Sequence, residues 1–236
     1  MMPQAYTALL PGGAAAVMDV RTGKGSWRHF NSTAARLWNH LADGTPLDQA
    51  LNELTDHFTR HGADRDTVCA DLATLVRRLR DTGLLTARTS PAPQPTAATV
   101  RPPIPADGVP SAAERLAGAL GLATALLLLR CTPIRTVIAL ACVLSRVPRP
   151  DATAEHADIL VHAVRNFARL WPGRAACLEE SLAVYLAALL RGCRVTWVLG
   201  ARTAPAGAHA WTETDGQVIG QDLEDRLWPY APALRI

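Results

Sequence analysis

The 236-residue sequence predicts an α+β protein of two modules, on three observations. The stretch 88–111 carries seven prolines and reads as a connector. Before it, two short strand-like runs precede three segments with apolar residues at helical spacing. After it, helical patterns run to Leu190, and three short strand-like segments follow. The boundaries expected from this reading are 1–87 for the first module, 88–111 for the connector and 112–236 for the second.

Composition narrows the function classes. A formal charge of +3 with scattered Arg residues does not mark a nucleic-acid partner. Hydrophobic residues make up 49% with few aromatics, so the core is expected from Ala, Leu and Val. Met1–Ala16 lacks a basic region followed by a long apolar run, so no secretory signal is read there. Five cysteines, at 69, 131, 142, 177 and 193, have no repeating spacing and an odd count, which points to a reducing cytoplasm.

In the first module, Ala14–Val20 and Ser26–Phe30 flank the turn-forming Thr22-Gly23-Lys24-Gly25 and are expected as a hairpin. Asn31 or Ser32 caps a helix over Thr33–Leu41, with Ala34, Leu37, Trp38 and Leu41 on one face. Thr45 is expected to cap a second helix near Pro46–His57. A third begins near Asp64–Asp66, carries Val68, Leu72, Leu75, Val76 and Leu79, and stops at Asp81-Thr82-Gly83. Strands followed by three helices give a small winged-helix-like unit. His57 and His61 lie one turn apart, but no further ligand has metal-site spacing, so no metal or cofactor is expected.

These segments, with Asn31-Ser32-Thr33-Ala34-Ala35-Arg36-Leu37-Trp38, Asp43-Gly44-Thr45 and Leu79-Arg80-Asp81-Thr82-Gly83-Leu84-Leu85 in that order, resemble the PqqD-like family over about residues 5–87. The resemblance implies a recognition element for the leader region of a ribosomally made precursor peptide. In that family the leader adds as a strand beside the hairpin and lies against the third helix. Carried over, the edge strand is Ser26, Trp27, Arg28, His29 and Phe30, and the wall is Asp71–Arg80, with Asp71, Leu75, Arg77 and Arg78 as leader-binding candidates. Arg77, Arg78 and Arg80 would attract acidic leader residues, though cations also suit the end of a solvated helix.

Beyond the connector, helices are expected at Ala112–Leu129, Ile134–Ser145 and Ala154–Leu170. The uncharged run Leu116–Leu129 is shorter than the roughly twenty residues a bilayer span needs. It reads as a buried helix, and the sequence leaves peripheral membrane contact open.

The break Pro172-Gly173 precedes a helix with Leu182, Tyr185, Leu186, Leu189 and Leu190 on its apolar side, so Cys177 falls in or near its first turn. Free N–H groups and the helix dipole there favour a thiolate, while Glu179 and Glu180 oppose one. Strands are expected at Arg194–Leu199, Ala208–Thr214 and Gln217–Ile219, with a loop at Gly200–Gly207 and a turn at Asp215-Gly216. A helix start carrying Cys and strands carrying His can assemble a nucleophile, a base and an orienting acid. On this reading Cys177 attacks a carbonyl, His209 handles the proton, and Asp222 holds the imidazole. Asp215 is more simply a turn residue.

Cys177-Leu178, Ser181-Leu182-Ala183, Leu189-Leu190-Arg191-Gly192-Cys193 and His209-Ala210-Trp211-Thr212-Glu213 with Asp215-Gly216 resemble the transglutaminase-like leader peptidases of lasso-peptide biosynthesis over about residues 112–225. The resemblance implies a cysteine peptidase of papain-like core fused to its recognition element. It would remove the leader from the precursor and hand the freed amino terminus to an ATP-dependent macrolactam cyclase. It carries the family's nucleophile to Cys177, its base to His209 and its acid to Asp222. Two other readings share these residues: acyl transfer to an amine, and a peptide-binding adaptor without catalysis.

Overall fold

The computed structural model describes residues 2–93, 99–100, 109–221 and 229–236. Three strands of the first module, β1 (Ala5–Leu9), β2 (Ala15–Asp19) and β3 (Ser26–Phe30), and one from the start of the connector, β4 (Thr89–Ser90), form one sheet in the order β3-β2-β1-β4. The β1–β2 and β2–β3 pairs are antiparallel, and β4 runs parallel to β1. β1 is additional to the expected hairpin. Its register sets Thr7 against Val17 on one face, and Tyr6 against Met18 and Ala8 against Ala16 on the other.

The two faces belong to different cores. Ala5 and Val17 join Leu37, Trp38, Leu54, Leu72 and Leu79 from α1 (Ser32–Ala42), α2 (Leu47–Arg60) and α3 (Arg65–Asp81). The buried Trp38 indole donates to Thr7 Oγ1 at 2.9 Å, so this buried hydroxyl is satisfied. Asn31 caps α1 by accepting from Ala34 N, and Asp64 caps α3 by accepting from Thr67 N. Thr45 does not cap α2. That helix starts after Pro46, whose fixed φ suits the entry, and no side chain bonds its first turn.

Arg21 fastens the sheet to the end of α3. It donates to both Asp19 oxygens, at 2.9 and 2.6 Å, and to the carbonyls of Gly83 and Thr82, at 2.5 and 2.7 Å. These guanidinium bonds hold the Asp19 carboxyl below its ordinary range, against burial that acts the other way. A depressed carboxylate stabilises the fold above its unfolded value, near pH 4, and loses that contribution as pH falls through the lower folded value. Asp19→Asn should therefore cost about 2 kcal/mol at pH 6, and the difference from wild type should close as pH falls through the lowered folded value. Urea midpoints measured as pH is lowered check this.

The second module surrounds a sheet of order β5-β8-β7-β6-β9, comprising β5 (Thr99–Val100), β6 (Thr196–Arg202), β7 (Gly207–Thr214), β8 (Gln217–Ile219) and β9 (Ala231–Arg235). β6 extends three residues past the expected end at Leu199, and β9 is a further strand pairing with it. Asp215 and Gly216, with φ of 50° and 72°, turn β7 into β8. The helices are α4 (Ala112–Cys131), α5 (Ile134–Leu144), α6 (Ala154–Ala168) and α7 (Cys177–Leu190).

By length and apolar composition α4 could cross a bilayer. Its Gly118, Gly121, Leu122, Ala125 and Leu129 are buried, and its neighbours are α6 and α7, while Leu116, Leu120 and Leu127 face outward. A Cβ at Gly121 would stand 2.6 Å from the Ala183 carbonyl oxygen of α7. Gly121→Ala gains about 1 kcal/mol of helix propensity but forces two backbones apart, at about 1–3 kcal/mol. The steric cost wins, so thermal melting should show a net loss of up to about 2 kcal/mol rather than the gain expected in an exposed helix.

The outer face of β1 and β2 is covered by the second module. Tyr6, Ala8, Ala16, Met18 and Val20 share one core with Leu126, Ile138, Leu182, Trp197 and Leu234. β1 lies on β9, and Ile134 N donates to the Gly23 carbonyl at 2.9 Å. The modules are thus packed together, beyond the tether that the proline-rich connector alone suggested.

Candidate functional site

Cys177 is the first residue of α7, with Ala176 as an extended N-cap. The break at Pro172-Gly173 lets the chain enter the helix there, and the buried side of α7 fixes its axis against α4 and β7. The two acids that follow are both engaged. Glu179 turns back to accept from Ala176 N at 3.1 Å, satisfying one amide of the helix start. Glu180 pairs with Arg165 of α6 at 3.4 Å, and Arg165 also donates to the Gly220 carbonyl at 2.5 Å.

His209 lies on β7. A cleft of about 190 Å³ is lined by both Cys177 and His209, together with Arg165, Ser181, Thr212 and Gly220. The alternation of β7 puts His209, Trp211 and Glu213 on one face. The imidazole lies nearly parallel to the Trp211 indole, with centroids 6.1 Å apart, and 5.0 Å from the Tyr230 ring. Trp211 Nε1 donates to Glu213 Oε1 at 2.7 Å, and Glu213 is paired with Arg235 of β9 at 3.2 Å. Trp211 is 1% exposed, so it fills the core and also floors the imidazole.

Asp222, the expected orienting acid, lies outside the described residues. Asp215 sits at the tip of the β7–β8 hairpin, as its sequence context suggested. Sequence reasoning missed the Arg165–Glu180 pair and Tyr230. Their pairing is tertiary, and no local pattern announces it.

The remaining thiols read differently. Cys69 and Cys131 are exposed and line no described cleft. Burial pushes the Cys142 and Cys193 thiols up, which disfavours nucleophilic chemistry at either. Among the described residues no group of His, Cys, Asp and Glu side chains could hold a metal ion.

The second concavity belongs to the first module. β3 ends its sheet, leaving one edge unpaired within it. A groove of about 800 Å³ runs between β3 and α3, lined by Trp27, Arg28, His29, Phe30, Asp71, Leu75 and Arg78. Thr74, inside the expected wall, also lines it, and so does Thr82, which lies beyond that wall and was not anticipated. Two expected residues fall outside the lining. Asp71, Leu75 and Arg78 recur at helical spacing on one face, and Arg77 is turned about 100° from Arg78. Ser26 starts β3 opposite Asp19, beyond the end of the groove.

Comparison with known proteins gives two family matches. Residues 119–235 match the transglutaminase-like superfamily, and residues 15–85 match coenzyme PQQ synthesis protein D (PqqD). No curated protein matches the chain. A solved structure described as TbiB1 in complex with the TbiA(beta) leader peptide is 22% identical, with 36% of this chain and 93% of that one covered at a TM-score of 0.29. A likeness of that size decides neither fold nor partner.

Proposed function

Because the chain joins a PqqD-like domain to a transglutaminase-like domain, we propose that it is a leader peptidase of lasso-peptide maturation. It binds a ribosomal precursor through its leader and hydrolyses the bond between leader and core. The observation that carries this reading is that one cleft is lined by both Cys177, the first residue of α7, and His209 of β7.

Cys177 Sγ attacks the scissile carbonyl carbon as His209 takes the thiol proton. The Cys177 N–H at the start of α7 supports the oxyanion. When the C–N bond breaks, the proton on His209 passes to the leaving amine of the core, and the leader remains as a thioester on Cys177. Water, deprotonated by His209, then releases the leader carboxylate and restores the thiol. Asp222 is proposed as the acid that holds the imidazole. Trp211 and Tyr230 confine the ring so that its nitrogen meets sulfur and amine in turn. The freed core amine suits an ATP-dependent macrolactam cyclase as the next enzyme, and the reducing cytoplasm keeps the thiol available.

Leader binding is proposed at the β3 edge, where main-chain bonds give affinity and the wall of α3 gives selection. Leu75 lies half-buried in this groove. Leu75→Arg should place a cation in the leader's path and weaken binding by roughly tenfold or more. Fluorescence titration of the precursor with full-length protein checks it. The function itself is tested by mixing protein and the precursor encoded beside its gene. One mass spectrum should show a new leader carboxylate and a core with a free amine. Amine incorporation without a new carboxylate would point to acyl transfer instead.

A further inference from the structure

The groove and the cleft are joined by a short bridge of side chains. His29, on the groove strand β3, donates from Nε2 to the Arg202 carbonyl at the end of β6, at 3.1 Å. The Arg202 guanidinium lies over the Tyr230 ring, 5.0 Å from its centroid. Tyr230 in turn lies against His209. In the β6–β7 ladder, Gly200 sits opposite His209, two residues from Arg202. Two residues of strand and one step across the ladder, with the His29 bond, make a path on the order of 15 Å, which about five extended residues would span.

This bridge stands on a continuous core rather than on a hinge. The outer faces of β1 and β2 are buried with α4–α7 and β9, and a slack connector could not hold His29 on Arg202 without that shared packing. A tether that only raised local concentration would leave the docked leader free to present many different bonds. A packed pair of sites has one separation.

We infer that the chain selects the bond it cuts by counting residues: the scissile bond lies at a fixed number of residues from the leader segment docked on β3, set by the His29–Arg202–Tyr230 bridge. This rests on the proposed peptidase reading and adds a specificity rule to it. The residues of the precursor between docked segment and cut are then spacers. Their number matters more than their identity, and the peptide runs across the end of β6 to reach Cys177.

The test uses full-length protein and the precursor encoded beside its gene. Two or four Gly-Ser residues are inserted between the docked segment and the scissile bond. A control carries the same insertion at the amino-terminal side of the docked segment. Binding of every peptide to Cys177→Ala is measured in parallel. The expected result is undiminished binding throughout, a parental rate for the control, and cleavage at the original bond reduced at least tenfold for the spacer insertions. Cleavage at the original bond at the parental rate would overturn the counting rule while leaving the peptidase intact. So would a loss of affinity that matched the loss of rate, because the insertion would then lie inside the docked segment. Failure to cut the unaltered precursor would instead remove the peptidase reading, and the rule with it.

Discussion

Cys177→Ala should lower precursor cleavage by about 10⁴-fold or more, with leader affinity and melting temperature close to wild type. The size follows from the role. A nucleophile is needed for both bond-breaking steps, and no second thiol in the described structure lines the cleft. The small effect on stability follows from place. Cys177 is half-buried at the helix start, where Ala removes one sulfur atom and leaves the Glu179 bond to Ala176 untouched. Initial-rate measurements with the precursor, beside titration of the same variant, separate the two effects. A variant that cuts at the wild-type rate would reduce the chain to an adaptor with an unused cleft.

Gly200→Ala should be nearly as revealing, though it adds one carbon atom and removes no reacting group. A Cβ at Gly200 would meet the Ala231 carbonyl and stand 2.6 Å from the Trp211 ring. The pairing of β6 with β9 already shifts register between Leu199 and Gly200, so the strand is bent to pass this point. Neither neighbour can yield cheaply: one is backbone, and the other is a fully buried indole held by Glu213. The expected cost is about 3 kcal/mol, or a melting temperature lower by about 6–12 °C. Because Trp211 floors His209, its displacement should also cut kcat/KM by roughly 10–100-fold below the unfolding range. Calorimetry with rates measured well below melting distinguishes the two losses. Wild-type melting with wild-type rate would mean that the indole is not fixed as described.

How the chain folds was legible where local chemistry and tertiary demand agree. Pro172-Gly173 followed by a leucine-rich helical run placed Cys177 at a helix start, and α7 begins on that residue. Asp215-Gly216 announced a hairpin turn, and both residues take positive φ. β1 was not legible because both its faces are buried, Tyr6 and Ala8 toward one core and Ala5 toward the other. The polar alternation that signals a half-exposed strand is therefore missing. β6 read as ending at Leu199 because Gly200 resembles a loop signal. Its physical meaning is close approach of a ring and a neighbouring strand. β9 contains Pro232, which weakens a strand reading, and it sits at the sheet's edge, where proline is tolerated.

The same division holds at the site. Cys177 and His209 line one cleft, and each sits in a local pattern that made it a candidate from sequence. Arg165, reaching across from α6 to Glu180 and Gly220, could not be named, since only the fold brings them together. The packing of the modules was hidden for the same reason. Prolines in a connector describe that segment's stiffness, whereas the shared core depends on the outer faces of β1 and β2.

The most direct measurement is an acid quench of protein and precursor within one turnover, followed by intact-mass analysis and peptide mapping. A transient adduct of leader mass, attached through a thioester at Cys177, is the predicted result, and it should be absent from His209→Ala at the same time point. Rapid turnover with every trapped adduct on Cys69, Cys131, Cys142 or Cys193, and none on Cys177, would contradict the assignment.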